Sequence, residues 1–255
     1  MQFDYDFTLL FMIFMRMTGC IIFNPIFGRK NIPAIFNIAL TLLLTVFVYG
    51  FLPDTQAIQI SSVAIFIIIM LKELIIGFMI GFIINLFLST LILAGEMMDM
   101  QIGISMSKIY DPASNVSMPV SASIINAMLM IIFFLTNSHL TLIEVFTHAG
   151  QAIPYGDLVI APEVFEELAL MFSKILIYSV KMSMPILAAE LIAEMGVGII
   201  MKAVPQINVF VVNLQLKIII GFLLIVILIP PFASFIERLF SLMFDAINHM
   251  LSALV

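Results

Sequence analysis

Apolar residues in this chain come in long blocks separated by short polar or proline-bearing stretches. The blocks fall at 7–23, 32–52, 61–93, 120–137, 168–200 and 203–232. A helix that crosses a bilayer needs about 20 largely apolar residues, each adding about 1.5 Å, so the pattern predicts six helical blocks. Two of them are too long for one simple span. Block 61–93 would run about 50 Å if straight, against a hydrocarbon core of about 30 Å. Block 168–200 is as long and carries Lys174, Lys181, Glu190 and Glu194. Either they break into helical hairpins or they extend well outside the membrane; the breakers Pro185, Gly196, Gly198 and Pro205, with Pro230-Pro231 ending the last block, favour hairpins. Gly77 and Gly81, one turn apart, predict close packing against another helix of the same chain rather than a dimer face.

Composition turns this pattern into a fold class. Of 255 residues, 63% are hydrophobic and 10% charged, where soluble domains average about 45–50% and about 25%. Too little polar side chain remains to cover a water-soluble surface. The expected class is all-α: a polytopic membrane protein of long, kinked helices and helical hairpins. Sixteen acids against ten bases give a net charge of −6, which excludes the basic footprint of a nucleic-acid binder. The lone Cys20 has no intrachain disulfide partner. Residues 1–6 are acidic, unlike the basic start of a secretory signal, so the first apolar block is expected to be retained. Arg29, Lys30 and Lys202 lie in the first and fifth connections, whereas 138–167 holds five acids and no base. The positive-inside rule then puts 138–167 and the N-terminus outside.

Charges set among apolar helices cost about 2.5–3.5 kcal/mol each on insertion scales and so are paired or functional by default. Arg16, the adjacent Lys72 and Glu73, Lys181, Glu190, Glu194 and Lys217 qualify. Glu190 and Glu194 share a helix face, where like charges repel unless a cation or partner intervenes. A proton or sodium relay and contact with basic groups of a neighbouring subunit both fit, and the second is favoured because no third acid or His stands at helical spacing. Lys217, with Asn213 on its face, is expected to meet a carboxylate of another subunit.

No catalytic or phosphate-binding motif is present. His139, His148 and His249, expected in or near loops, lack ligands at metal-binding spacing. The chain is therefore expected to be no enzyme and to need no cofactor. Residues 94–119 are the most informative stretch. They hold Met97, Met98, Met100, Met106 and Met118 among Gly, Ser and Asn, and 103–119 lose helical periodicity around Asp111-Pro112 and Pro119. An irregular loop of that length is commonly functional, and methionine re-packs easily around different neighbours. A deformable plug is one reading, a solvated linker the other.

These residues resemble a known family. Arg16-x-x-Gly19 with Pro25-x-Phe27-Gly28 and Ile32-Pro33, then Glu96-x-x-Asp99-x-Gln101-x-Gly103 with Asp111-Pro112 and Pro119, are similar to motifs of the FliR-like type III export-gate subunits. Asn137-x-His139, Ile153-Pro154-x-Gly156, the run from Ala203 to Phe210, and Lys217-x-x-x-Gly221 extend the likeness over nearly the whole chain. The family's usual Gly and second His flanking His139 are Ser138 and Leu140 here, so the resemblance assigns His139 no role. Gly221 is more like the flagellar than the injectisome branch.

The resemblance implies one export-gate unit over 1–255, with a FliP-like first part and a FliQ-like hairpin in roughly the last third. It implies a subunit of a larger helical assembly with FliP and FliQ homologues, near FlhB and FlhA homologues. That assembly sits in the bacterial inner membrane at the flagellar basal body, partly on the periplasmic side. Unfolded flagellar proteins would be the substrates, lipid the surroundings, and nucleic acid no partner. The loop equivalent to 104–121 would plug the channel, which nominates Ile104, Met106, Ile109, Tyr110, Asp111, Pro112, Met118 and Pro119. Gln101, Gly103, Lys202, Pro205, Gln206, Asn208 and Lys217 would contact other subunits. The alternative function is an ion-coupled secondary transporter using Glu190, Glu194 and Lys217, which would work alone or as a homo-oligomer.

Overall fold

The two longest apolar blocks do not break. In the computed structural model, which describes residues 5–29, 32–52, 62–105, 119–156, 163–203 and 209–254, each is one continuous helix. Eight helices, and no strand, occur among the described residues: α1 Tyr5–Ile22, α2 Ala34–Phe51, α3 Val63–Ile102, α4 Val120–Leu135, α5 Ser138–Ala152, α6 Glu163–Ala203, α7 Val209–Ile227 and α8 Ile229–Ala253. With 40 and 41 residues, α3 and α6 are each about 60 Å long. The expected hairpins within them are thus corrected. Pro185 lies inside α6 without ending it. Strong helix formers follow it directly (Leu187, Ala188, Ala189, Glu190). In the turns before it the Ser179 and Ser183 hydroxyls donate to Ile175 O and Val180 O.

The sharp bends lie elsewhere. The chain turns between α4 and α5 at Asn137, whose φ of 56° is left-handed; asparagine tolerates that region better than other chiral residues. α7 and α8 meet at 60°. There Pro230 and Pro231 do not end the helical structure. They occupy the first turn of α8, where backbone N–H groups have no helical acceptor and proline is at home. Sequence reading passed over α8, yet it is strongly two-faced: Phe232, Ile236, Leu239, Met243 and Ile247 are buried, while Glu237, Arg238, Asp245 and His249 face outward.

Three helices, α2, α3 and α6, are long and apolar enough to cross a membrane, or up to five spans if each bent pair counts as one. Six had been expected. The difference comes from α1, whose apolar stretch is shorter, and from the bends, which turn single blocks into helix pairs. The three histidines are also helical rather than in loops, His139 and His148 in α5 and His249 in α8.

The chain divides into two compact units. The first comprises Met1–Leu88, Asn137–Met171 and Phe240–Val255; the second comprises Ser89–Thr136 and Phe172–Leu239. In the first, Met12, Ile13 and Met17 of α1 are fully enclosed, as are Ile76, Ile83 and Ile84 of α3 and Phe146 of α5. α1 and α3 touch backbone to backbone at Gly19 and Gly77, where an added methyl would strike Leu74 O or Arg16 O. Gly81 lies equally close to Phe23, so these glycines pack within the chain, as expected. In the second unit Met98 and Ile102 of α3 and Phe133 of α4 are buried, and Gly95 lets α3 approach Ala122 of α4.

Candidate functional site

The stretch that drew attention in the sequence is anchored at both ends by one aspartate. α3 ends at Ile102, and Gly103 turns away with a left-handed φ of 91°, open to glycine without strain. Asp99 O accepts from Gly103 N at 3.1 Å and from Ser105 N at 3.3 Å. The Asp99 side chain reaches across to the far end of the loop. Its Oδ1 accepts from Ser121 N at 3.1 Å and from the Ser121 hydroxyl. A carboxylate on the first-turn N–H of α4 does what an N-cap side chain does: it satisfies an orphan donor and meets the positive end of the helix. Pro119, the residue before α4, supplies no donor and fixes the entry angle. Asp99 is 2% exposed and Ser121 fully buried, so this junction is shielded from solvent within the chain.

Of the nominated plug residues, Ile104 and Pro119 stand at the two edges of the loop. Met106, Ile109, Tyr110, Asp111, Pro112 and Met118 lie outside the described residues. Gln101 and Gly103 belong to the same junction. Met97 and Met98 are on α3 rather than in the loop, Met98 buried and Met97 accepting from Ser183 at 3.5 Å, while Met100 is exposed. Pro205, Gln206 and Asn208 also lie outside the described residues. Lys202 ends α6 with its side chain in the open.

Lys217 has one carboxylate within its own chain: its Nζ lies 3.2 Å from Glu194 Oε1 of α6. That contact also separates the two acids of α6. Glu194 is paired and half exposed, whereas Glu190 is fully enclosed and neither of its oxygens has a hydrogen-bond partner.

In the first unit the buried charges are joined. Arg16 Nε donates to Glu73 Oε2 at 2.7 Å, and Arg16 Nη1 donates to Ala149 O and Ile153 O at 2.6 and 3.0 Å. Those carbonyls sit at the C-terminal end of α5, where a cation opposes the helix dipole. Glu73 Oε1 accepts from Gly156 N at 2.8 Å, and the Arg16 guanidinium stacks 4.0 Å from the Tyr155 ring centre. Burial, offset in part by Arg16, pushes the Tyr155 phenol up to about 12. It is neutral throughout the ordinary pH range. Sequence reading picked out Arg16, Glu73 and Gly156 separately but did not join them, and it missed Tyr155 and Ser121. Ser121 is 22 positions from Asp99, beyond any local periodicity that would announce the pair. Among the described residues no cluster of His, Cys, Asp and Glu is arranged to hold a metal ion.

Comparison with known proteins adds a second line. The sequence profile of the bacterial export proteins, family 1, matches residues 7–243. The flagellar biosynthetic protein FliR of Bacillus subtilis is 26% identical over 249 residues, covering 94% of this chain and 93% of that protein. That of Escherichia coli is 26% identical over 246 residues, with 96% and 94% covered. The Yop proteins translocation protein T of Yersinia pestis is 25% identical over 244 residues, with 94% and 92% covered.

Proposed function

This chain belongs to the bacterial export proteins, family 1, and from that premise we propose that it is a non-enzymatic channel subunit of a type III export gate. It passes unfolded flagellar proteins across the inner membrane, within an assembly of FliP and FliQ homologues beside FlhA and FlhB homologues. Part of the assembly stands on the periplasmic side. Its relatives are named for flagellar biosynthesis and for protein translocation, which supports a place in the export apparatus.

The observation that carries the channel reading is the Asp99–Ser121 junction. It holds the two ends of residues 103–119 together from buried, helical ground. A plug needs such a mounting: the sealing segment must yield when substrate passes, while its attachment must not. Ile104, Met106, Ile109, Tyr110, Met118 and their neighbours supply apolar and sulphur surface with few directional bonds, which can separate and re-form at little cost. Asp111-Pro112 fixes a bend. Gln101, Gly103, Lys202, Pro205, Gln206, Asn208 and Lys217 are proposed as contacts to the other subunits.

Deleting about ten residues around Tyr110, roughly half of a loop this long, tests the reading. The complex should still assemble with FliP and FliQ homologues, but conduct small ions in planar bilayers and sensitise cells to high salt. An assembled, tight mutant complex would sink the plug.

The transporter alternative retains one specific observation, the enclosed and unpartnered Glu190. Purified chain reconstituted alone should then show sodium- or proton-driven flux that Glu190→Gln abolishes. The export-gate reading expects none.

A further inference from the structure

One face of α6 combines long apolar exposure with charges that meet no ion-pair partner among the described residues. Lys174, Ile177, Lys181, Met184, Ile192 and Met195 follow one another at helical three- and four-residue steps, with Ala188 in the gap, and all are exposed. The face lies within the second unit. Ile192 and Met195 are 70% and 69% exposed, values that large apolar side chains hold only where something else covers them. The two lysines stand two turns apart on this stripe. Neither has an ion-pair partner among the described residues; Lys181 only leans toward the Tyr178 ring, 5.7 Å from its centre.

We propose that this stripe of α6 docks a helix of another subunit that carries two carboxylates seven residues apart, set opposite Lys174 and Lys181. The inference rests on the chain being a subunit of a larger assembly, and it specifies one partner surface. Three arguments support it. An ammonium on an apolar helix face is expensive in hydrocarbon unless a counter-charge meets it. Any stretch of about 20 residues that α6 could place in a bilayer contains at least two of Glu166, Glu167, Lys174, Lys181, Glu190, Glu194 and Lys202. Glu190 and Glu194 are accommodated inside the chain, whereas the lysines point out of it. Third, the three–four spacing is the seam of helix-on-helix packing, and isolated lysines in such a seam set register and choice of partner through the charges opposite. A second copy of the chain does not fit well: the exposed acids of α8, Glu237 and Asp245, are eight apart and off one line.

The test uses the full chain expressed with its FliP and FliQ homologues. A photo-crosslinking amino acid is placed at Met184 or Ile192, with lysines intact, and the crosslinked peptide is identified by mass spectrometry. It should be a helix of another subunit with two acids seven residues apart. Separately, Lys174→Glu with Lys181→Glu should cut complex recovery tenfold or more, and Lys174→Arg with Lys181→Arg should preserve it. Lys174→Met with Lys181→Met should cut it about threefold, because the partner's carboxylates are left without cations. Reversing those carboxylates to lysine should restore assembly of the Glu variant. Crosslinks only to phospholipid, to a second copy of this chain, or to a helix without such an acid pair overturn the proposal, as does full recovery of the Met variant. If the stripe captures an acid-bearing helix while the complex holds no FliP or FliQ homologue, the docking inference stands and the export-gate reading falls. If the gate assembles with the stripe facing lipid, the reverse holds.

Discussion

The two units treat buried charge in opposite ways. In the first, Arg16 and Glu73 satisfy each other, the end of α5, Gly156 N and the Tyr155 ring, so that α1, α3, α5 and the chain after α5 share one knot. In the second, polar groups are spread out. Asp99 ties the end of α3 to the start of α4, Glu194 holds Lys217 at a half-exposed site, and Glu190 is enclosed without a hydrogen-bond partner among the described residues. A buried ion pair that is hydrogen-bonded on both sides rigidifies, even though Arg16 Nη2 finds no hydrogen-bond partner among the described residues, whereas an enclosed carboxylate without any hydrogen bond is a cost that other states can relieve. The first unit gathers its buried charges into one knot, and the second leaves an enclosed carboxylate without a hydrogen bond.

The strongest way to break the contrast is to unpair the knot. Arg16→Met should destabilise the first unit by about 3–5 kcal/mol, because Glu73 is left as a buried, uncompensated charge. Arg16→Met with Glu73→Met should recover much of that loss, as read by thermal unfolding in detergent. Next comes Gly77→Leu, which forces α1 off α3 and should cost about 1–3 kcal/mol or more, lowering the accumulated protein. In the second unit Asp99→Ala removes the shared cap of the loop. It should cost about 1–2 kcal/mol and speed protease cleavage within 103–119, with little change in the first unit. Glu190→Gln removes an enclosed acid at constant shape and should leave stability within about 1 kcal/mol, neutral or higher. Its equivalent in the knot, Glu73→Gln, should be clearly destabilising; equal effects would erase the contrast.

The smallest expected effect sharpens it. Tyr155 presents its ring to Arg16, while its buried hydroxyl has no partner. Tyr155→Phe should therefore be neutral or stabilising by up to about 1 kcal/mol. Because the folded phenol is raised from 10.0 to about 12, ionisation begins first in the unfolded chain. Native stability should be unaffected below pH 10 and fall as pH rises from there through 12. Unfolding against pH should show that alkaline step in the parent and lose it in the Phe variant.

Much of this was legible beforehand because hydrophobic blocks are local. The helix-forming blocks, the membrane class and the in-chain packing of Gly77 and Gly81 all follow from spacing along a few turns. The continuity of α3 and α6 was misjudged because proline and buried charge are weak terminators where neighbouring helices satisfy the freed groups. α8 was passed over because a proline doublet reads as a stop, although the same doublet suits a helix start. The contact of Lys217 with Glu194 was not legible, because Glu194 comes from another helix, 23 positions away.

The sequence by itself determined that this chain is helical, lipid-compatible and a member of an export family, since composition and motif order need no third dimension. Only the tertiary structure decided which charges meet. Arg16 and Glu73 lie 57 positions apart, and Asp99 and Ser121 lie 22 apart. Electrostatic and hydrogen-bond energies depend on separations of a few ångströms in space, which helix crossings set and sequence distance does not.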